Sequence, residues 1–281
     1  MASRMVLEDF RRARIKYPSL KIQDRIVAVL RAYDDLIENN TRRIKILEEM
    51  AKLIYREWFV EFKAPGVKLR KATAEQKKLT GKDVFPEGWE VKQVKEICGE
   101  ITYGFTASAS RENNGPKFLR ITDIVPSIID WDLVPYCAIN ERDKQKYGVR
   151  EGDIVVARTG ATTGYAKRLN KRHPETVFAS YLVRFRTAEK HLSRMLGIAM
   201  ESNDYKRFIH TNLGGAAQPQ ANAQVLGSYR IVLPTLEVRK QIDQSLEDLF
   251  DLKETLQLEN SNLRLTRHLL LPKLVSGEVS V

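Results

Sequence analysis

The sequence predicts an α+β fold: one domain of mixed β-sheet with helices, flanked by two long helices that form an antiparallel coiled coil. Three observations point there. A segment near the start, Ile15-Lys16-Tyr17-Pro18-Ser19-Leu20-Lys21-Ile22-Gln23-Asp24-Arg25-Ile26, returns as Ile231-Val232-Leu233-Pro234-Thr235-Leu236-Glu237-Val238-Arg239-Lys240-Gln241-Ile242, at a constant offset of 216 residues (231 − 15). Each copy leads into a long run whose apolar residues step by three and four, the period of one helix face. Between the runs lie short β-rich stretches separated by turn residues. The chain therefore divides into an N-terminal segment with the first helix (1–64), a middle domain (65–235), and a second helix with a tail (236–281).

Each repeat copy reads as a strand, a Pro-containing turn and a helix start. Ser19 and Thr235 are natural N-caps, because a hydroxyl accepts from the free N–H groups of a first turn. In the first helix the apolar series is Ile22, Ile26, Val29, Tyr33, Leu36, Asn40, Ile44, Leu47, Ala51, Ile54, Trp58. That is close to an a/d seam, with one irregular step of four from Asn40 to Ile44. At 1.5 Å per residue such a helix is roughly 55 Å long, too long for a small core, and it needs a partner of similar length. The run Val238, Ile242, Leu246, Leu249, Leu252, Leu256, Leu263, Leu270 supplies one, with Pro272 expected to stop it and Gly277 following. The pairing residues are expected to include Ile26, Asn40, Ile44 and Leu47 on one helix and Ile242, Leu249, Leu256 and Leu263 on the other. Asn40 aligns with Leu256 at the repeat offset. It either fixes register as a polar seam residue or belongs to a solvated Asn39-Asn40 stretch at a local distortion.

In the middle domain, about Val67 to Val84 is polar and basic and reads as a linker, and Phe85-Pro86-Glu87-Gly88-Trp89 opens the domain proper. Strands are expected at Lys117–Ile121, Asp153–Ala157, Tyr165–Leu169, Ser180–Phe185 and Tyr229–Leu233, with helix from roughly His191 to Thr211. The strand at Asp153–Ala157 delivers Arg158 into a loop of small and hydroxyl residues, Arg158-Thr159-Gly160-Ala161-Thr162-Thr163-Gly164. An Arg, Thr hydroxyls and free N–H groups suit phosphate contact, although the same composition also makes a tight structural turn. It is not a nucleotide-cradling loop, since no Gly-Lys-Ser/Thr follows at the required spacing. A second loop, Asn212 to Asn222, carries Gln218 and Gln220, amides able to contact adenine, or it is simply a polar loop. Further basic and aromatic candidates are Tyr103, Arg111, Lys117, Arg120, Arg142, Lys144, Lys146 and Tyr147, each of which also fits an ordinary solvated surface.

The formal net charge of +11, with 47 Lys+Arg against 36 Asp+Glu, favours an anionic partner, with nucleic acid first. The two cysteines, Cys98 and Cys137, and the absence of an apolar leader point to a reducing cytoplasm. No run approaches the ~20 apolar residues of a membrane span. His173, His191, His210 and His268 form no metal pair at ligand spacing. No nucleophile elbow or methyl-transfer motif is present. These absences point to a recognition module with no catalytic residues, cofactor or metal of its own. From another class, a helical scaffold or assembly adaptor with a basic, non-sequence-specific domain fits the same composition.

The motifs together resemble the specificity subunits of Type I restriction-modification systems. Gln23-Asp24-Arg25-Ile26, Asp34-Asp35-Leu36-Ile37-Glu38-Asn39-Asn40, Arg42-Arg43-Ile44 and Tyr55-Arg56-Glu57-Trp58-Phe59 look like that family's central helix. Pro86-Glu87-Gly88-Trp89 is similar to the opening of a target recognition domain, and Gly152-Asp153-Ile154 to Gly164 resembles its internal strand and loop. Pro272-Lys273-Leu274-Val275-Ser276-Gly277-Glu278-Val279 looks like the family's C-terminal tail. The resemblance implies a non-catalytic reader of double-stranded DNA. In the family, separate methyltransferase subunits and a restriction subunit supply the chemistry, and the coiled coil spaces two recognition domains on a split site. This chain carries one such domain where the full-length subunit has two, with Arg14–Leu20 looking like the last strand of a missing first one. A half-subunit whose helices also pair with a second copy would read an inverted repeat. A monomer reading one half-site is the rival.

Overall fold

The computed structural model describes residues 17–213 and 220–281. In chain order the elements begin with helix α1 (Leu20–Tyr55), a π-helical turn (Arg56–Val60), strand β1 (Leu69–Lys71), helix α2 (Ala74–Thr80) and strands β2 (Val84–Pro86), β3 (Glu90–Gln93), β4 (Cys98–Tyr103) and β5 (Lys117–Leu119). Helices α3 (Ile121–Ile124) and α4 (Glu141–Tyr147) precede strands β6 (Ile154–Ala157), β7 (Ala166–Arg168), β8 (Thr176–Phe178) and β9 (Leu182–Thr187). Then follow α5 (Ser193–Glu201), α6 (Asn203–Asn212), α7 (Ala223–Gly227), β10 (Arg230–Leu233) and α8 (Leu236–Ser276). Contacts divide the chain into two units. One holds the residues up to Ile46 together with Thr255–Val281, and the other is Leu47–Glu254.

In the first unit α1 and α8 run antiparallel. Arg267 pairs with Asp34, and Asn260 donates from Nδ2 to Thr41 Oγ1 at 3.2 Å and to the Ile37 carbonyl at 3.3 Å. The contact thus climbs seven residues on one helix as it descends seven on the other, the repeat of a coiled-coil seam. Ile26, Ile44 and Leu256 are buried, and Leu263 is half-buried. Asn40 is buried too and donates to Glu259 at 3.3 Å, so the solvated-stretch reading gives way to a register contact. Asn260, wholly buried, is its counterpart on α8, and the apolar series had passed over it.

Two other seam assignments change. Leu36 and Leu252 are exposed, and the neighbouring Ile37 and Lys253 are the more buried. With Ile37 in place the steps Tyr33, Ile37, Asn40, Ile44, Leu47 alternate four and three, and the doubled step of four moves to Val29, Tyr33, Ile37. Pro272 does not stop α8, which continues to Ser276. Proline removes one backbone hydrogen bond and crowds the preceding turn, and the burial of Leu274 in the next turn offsets that cost. Gly277, at φ +79°, ends the helix in the left-handed conformation that glycine adopts readily. Ser19 and Thr235 stand directly before the two helices, where their carbonyls take the first-turn N–H groups, and the Thr235 methyl lies against Gly88. Of the N-terminal repeat strand, the residues before Tyr17 lie outside the described residues.

The second unit is built on a four-stranded antiparallel sheet in the order β4-β9-β6-β7. β6 is buried on both faces, because α5 packs on one side and β5 and β8, through Leu119 and Phe178, cover the other. A parallel pair β5·β8 and an antiparallel pair β3·β10 complete the domain. Residues 67–84 are not a linker. β1 pairs antiparallel with β2, and α2 between them carries a capping box in which Thr73 accepts from Gln76 N–H and Gln76 accepts from Thr73 N–H. Phe85 and Trp89 then enter an aromatic cluster with Phe59 and Phe62. The expected strand Lys117–Ile121 ends at Leu119, because Asp123 accepts from the Arg120 N–H and starts a helical turn. The expected helix over 191–211 is split at Ser202, whose hydroxyl accepts from Tyr205 N–H and begins α6.

Candidate nucleic-acid interface

β6 is flanked by Asp153 and Arg158, and its two ends differ in chemistry. At the Asp153 end, Arg186 holds Asp153 by two bonds of 2.8 Å and reaches Glu100 at 2.6 Å. Arg184, its side chain 1% exposed, pairs with the same Glu100 and donates to the Gly148 carbonyl at 2.6 Å. Burial raises the Glu100 carboxyl, but the Thr102 hydroxyl and the guanidinium groups of Arg184 and Arg186 outweigh it and hold the group below the usual carboxylate range. This end is an ion network in which both guanidinium groups have carboxylate partners, although Arg184 Nε makes no hydrogen bond.

At the other end, Arg158 has no carboxylate partner among the described residues. Its guanidinium lies over the Tyr103 ring, 5.0 Å from the centroid, its Nε is buried without a hydrogen bond, and one terminal nitrogen reaches the Ser180 carbonyl only at 3.5 Å. The backbone is firmly fixed: Arg158 N–H donates to the Tyr181 carbonyl, and the Arg158 carbonyl accepts from Ala221. Thr159 forms a β-bridge with Gln220. The two loops singled out separately in the sequence therefore meet. Tyr103 joins them, because its hydroxyl accepts from the Ala223 N–H at 2.9 Å. Gly160 (φ +78°) and Gly164 (φ +89°) bound the turn, and a side chain at 164 would press on Ile209 of α6 at 3.2 Å. Of the loop hydroxyls, Thr163 is buried and donates to the Gly160 carbonyl at 2.6 Å, while Thr159 and Thr162 are partly accessible.

Tyr103, Arg158, Thr159, Gly160 and Gln220 thus form one cluster, and Gln218 lies outside the described residues. Most of the remaining candidates are engaged elsewhere. Arg120 pairs with Asp123 at 2.9 Å. Lys117 donates to the Val134 carbonyl at 2.8 Å and sits over Tyr136. Lys144 pairs with Glu141 and Glu175, which raise its pKa. Tyr147 packs against Phe105 and Phe178. Arg111 is exposed in the turn after Ser110. Two residues beside the cluster had not been singled out: Tyr181, 60% exposed where the chain enters β9, and Lys206, whose ammonium lies 4.1 Å from the centroid of the Tyr165 ring. Nothing local marks either one, since strand and helix spacing reveal only their neighbours. Both cysteines are pushed up by burial, Cys98 to about 12, so neither is a ready thiolate. Among the described residues no group of three His, Cys, Asp or Glu is placed to hold a metal ion, and no helix is long and apolar enough to cross a membrane.

Residues 86–263 match the family model described as Type I restriction modification DNA specificity domain. The chain is 25% identical over 283 residues to the Type I restriction enzyme MjaIX specificity subunit of Methanocaldococcus jannaschii, covering 95% of this chain and 61% of that protein. It is 24% identical over 279 residues to the MjaVIII specificity subunit of the same organism, covering 97% and 63%. The chain thus spans about three fifths of the length of these curated relatives. A crystal structure of a Type I restriction-modification system S subunit from M. genitalium superposes with a TM-score of 0.58 at 13% identity, over 92% of this chain and 61% of that one, a likeness of fold. With the family model covering well over half of its length, this chain belongs to the family of Type I restriction modification DNA specificity domains.

Proposed function

We propose that this chain reads DNA sequence for a Type I restriction-modification system in the cytoplasm and directs partner methyltransferase and restriction subunits to a split double-stranded site. The observation that carries the reading is the cluster at the Arg158 end of the sheet. A guanidinium held between an aromatic ring and backbone, with no acid to neutralise it, suits a base edge or a phosphate. Gln220, bridged beside it, offers an amide for adenine. In this reading residues 65–235 are the recognition domain, with 1–64 and 236–281 as the helical arms. Arg158, Thr159, Gly160, Thr162 and Gln220 contact DNA, with the Tyr103 ring behind the Arg158 guanidinium, while Arg111, Lys117, Arg120 and Lys144 lie at the periphery. The chain carries no chemistry of its own, and methyl transfer belongs to its partners.

The helices support the second half of the proposal. Outside the α1–α8 seam, Val27 and Ile46 on α1 and Leu258, Leu265 and Leu269 on α8 are exposed apolar residues. Such residues suit further helices, from a second copy of this chain or from a methyltransferase subunit. α1, at 36 residues, is about 54 Å long, roughly one and a half turns of DNA. The test is methylation-site mapping of host DNA with and without the gene. Loss of one methyl-adenine motif is the expected result, and a palindromic split motif would identify the two-copy form. An unchanged methylome, with partner subunits expressed, would overturn the reading in favour of a scaffold.

A further inference from the structure

We infer that Tyr103 is a positioning residue that locks the two loops into one reading surface, its ring serving Arg158 and its hydroxyl serving the Gln220 loop. This rests on the DNA-reading proposal. Tyr103 is the last residue of β4, paired with Val183 of β9, so its backbone is fixed by the sheet. Its ring meets the Arg158 guanidinium at 5.0 Å, and beside this face contact the charge, whose Nε has no hydrogen bond, reaches the Ser180 carbonyl only at 3.5 Å. Its hydroxyl accepts from Ala223 N–H in the first turn of α7, where Asn222 also caps by accepting from Val225 N–H. Gln220 lies three residues before Ala223 and one before Ala221, whose N–H is bound to the Arg158 carbonyl. A single side chain thus fixes the direction of the guanidinium and the position where the second loop rejoins the domain. The backbone bonds alone hold Arg158's Cα and leave its long side chain free to rotate, at a cost in ordering when it meets a base. The ring removes that freedom in advance.

The two functions separate chemically. Tyr103→Phe keeps the ring and deletes the acceptor of Ala223. Tyr103→Ala deletes both. The experiment uses the full chain with its methyltransferase partner, a duplex carrying the mapped methylation site and a scrambled duplex of the same length. The preference for the site is expected to fall about threefold in Tyr103→Phe and about tenfold in Tyr103→Ala, with affinity for the scrambled duplex unchanged. In the DNA-free chain, hydrogen exchange at Ala223 should accelerate in both variants. Where Tyr103→Ala fails to fold, Tyr103→Phe alone carries the test.

Equal losses on both duplexes would overturn the inference, because Tyr103 would then be an ordinary contact. Unchanged Ala223 exchange in Tyr103→Phe would overturn the hydroxyl half. A wild-type complex without any site preference would defeat the DNA-reading proposal and the positioning role with it. A preserved preference that Tyr103→Ala leaves intact would defeat the positioning role alone.

Discussion

The two ends of β6 each hold a buried or half-buried arginine, and they use it in opposite ways. Arg184 and Arg186 are matched by Glu100 and Asp153 at close range, and the network is completed by the Gly148 carbonyl. Arg158, four residues along from Ile154, has an aromatic face, a distant carbonyl and no acid. A cation withdrawn from water without compensation is costly to the fold. A site that binds an anion can carry that cost, because the ligand supplies the missing charge. The contrast separates arginines that build this domain from one that serves its surface, which residue type alone does not do.

The largest expected effect breaks the first end. Asp153→Asn leaves Arg184 and Arg186 with one carboxylate between them and should lower stability by about 3 kcal/mol, measured by denaturant unfolding. A loss under about 1 kcal/mol would mean that Glu100 and the Gly148 carbonyl suffice. The matching change at the second end, Arg158→Ala, should do the reverse. DNA affinity of the assembled complex should drop by about 2 kcal/mol, near thirtyfold, with unfolding stability changed by no more than about 0.5 kcal/mol. If stability falls instead and affinity holds, the loop is structural.

A smaller effect tests the same rule on an acid. Glu254 is buried, its Oε2 has no hydrogen-bond partner, and burial raises its pKa. A carboxyl that keeps its proton longer when folded is most favourable at low pH, and its contribution is lost as pH rises from the usual carboxylate range through the raised value. Glu254→Gln should therefore stabilise the chain by about 1 kcal/mol at neutral pH, with the gain vanishing near pH 4. A gain that does not depend on pH would contradict that account. The smallest effect concerns the seam. Asn260→Leu should change the unfolding midpoint little, because it exchanges hydrogen bonds to Thr41 and Ile37 for apolar burial. It should, however, broaden the set of helix pairings seen by cross-linking. A single, unchanged pairing would show that Arg267–Asp34 fixes register without it.

Much of the helical architecture was legible because the a/d repeat is local: Ile26, Asn40, Ile44 and Leu256 are read from spacing within one segment. The errors there, Leu36 for Ile37 and Leu252 for Lys253, arose where two apolar or long side chains lie side by side and only the partner helix chooses between them. The hairpin β1·β2 was missed because its strands are three residues long and all but two of their side chains are exposed or polar, so no alternation marks them. The candidate site was legible in parts. Arg158 and Gln220 stood out by composition, each with a plain structural alternative, and Tyr103 was one aromatic residue among several.

The sequence by itself determined that two long helices pair antiparallel around one α+β domain, since periodicity and the internal repeat are properties of the chain alone. Tertiary structure decided that Arg184 and Arg186 are neutralised and Arg158 is not. Asp153 and Glu100 reach Arg184 and Arg186 through the pairing of β4, β9 and β6, contacts more than thirty residues apart in the chain, and among the described residues no acid is brought to Arg158. Charge compensation is set by distances across a sheet, and such distances exist only after the strands have paired.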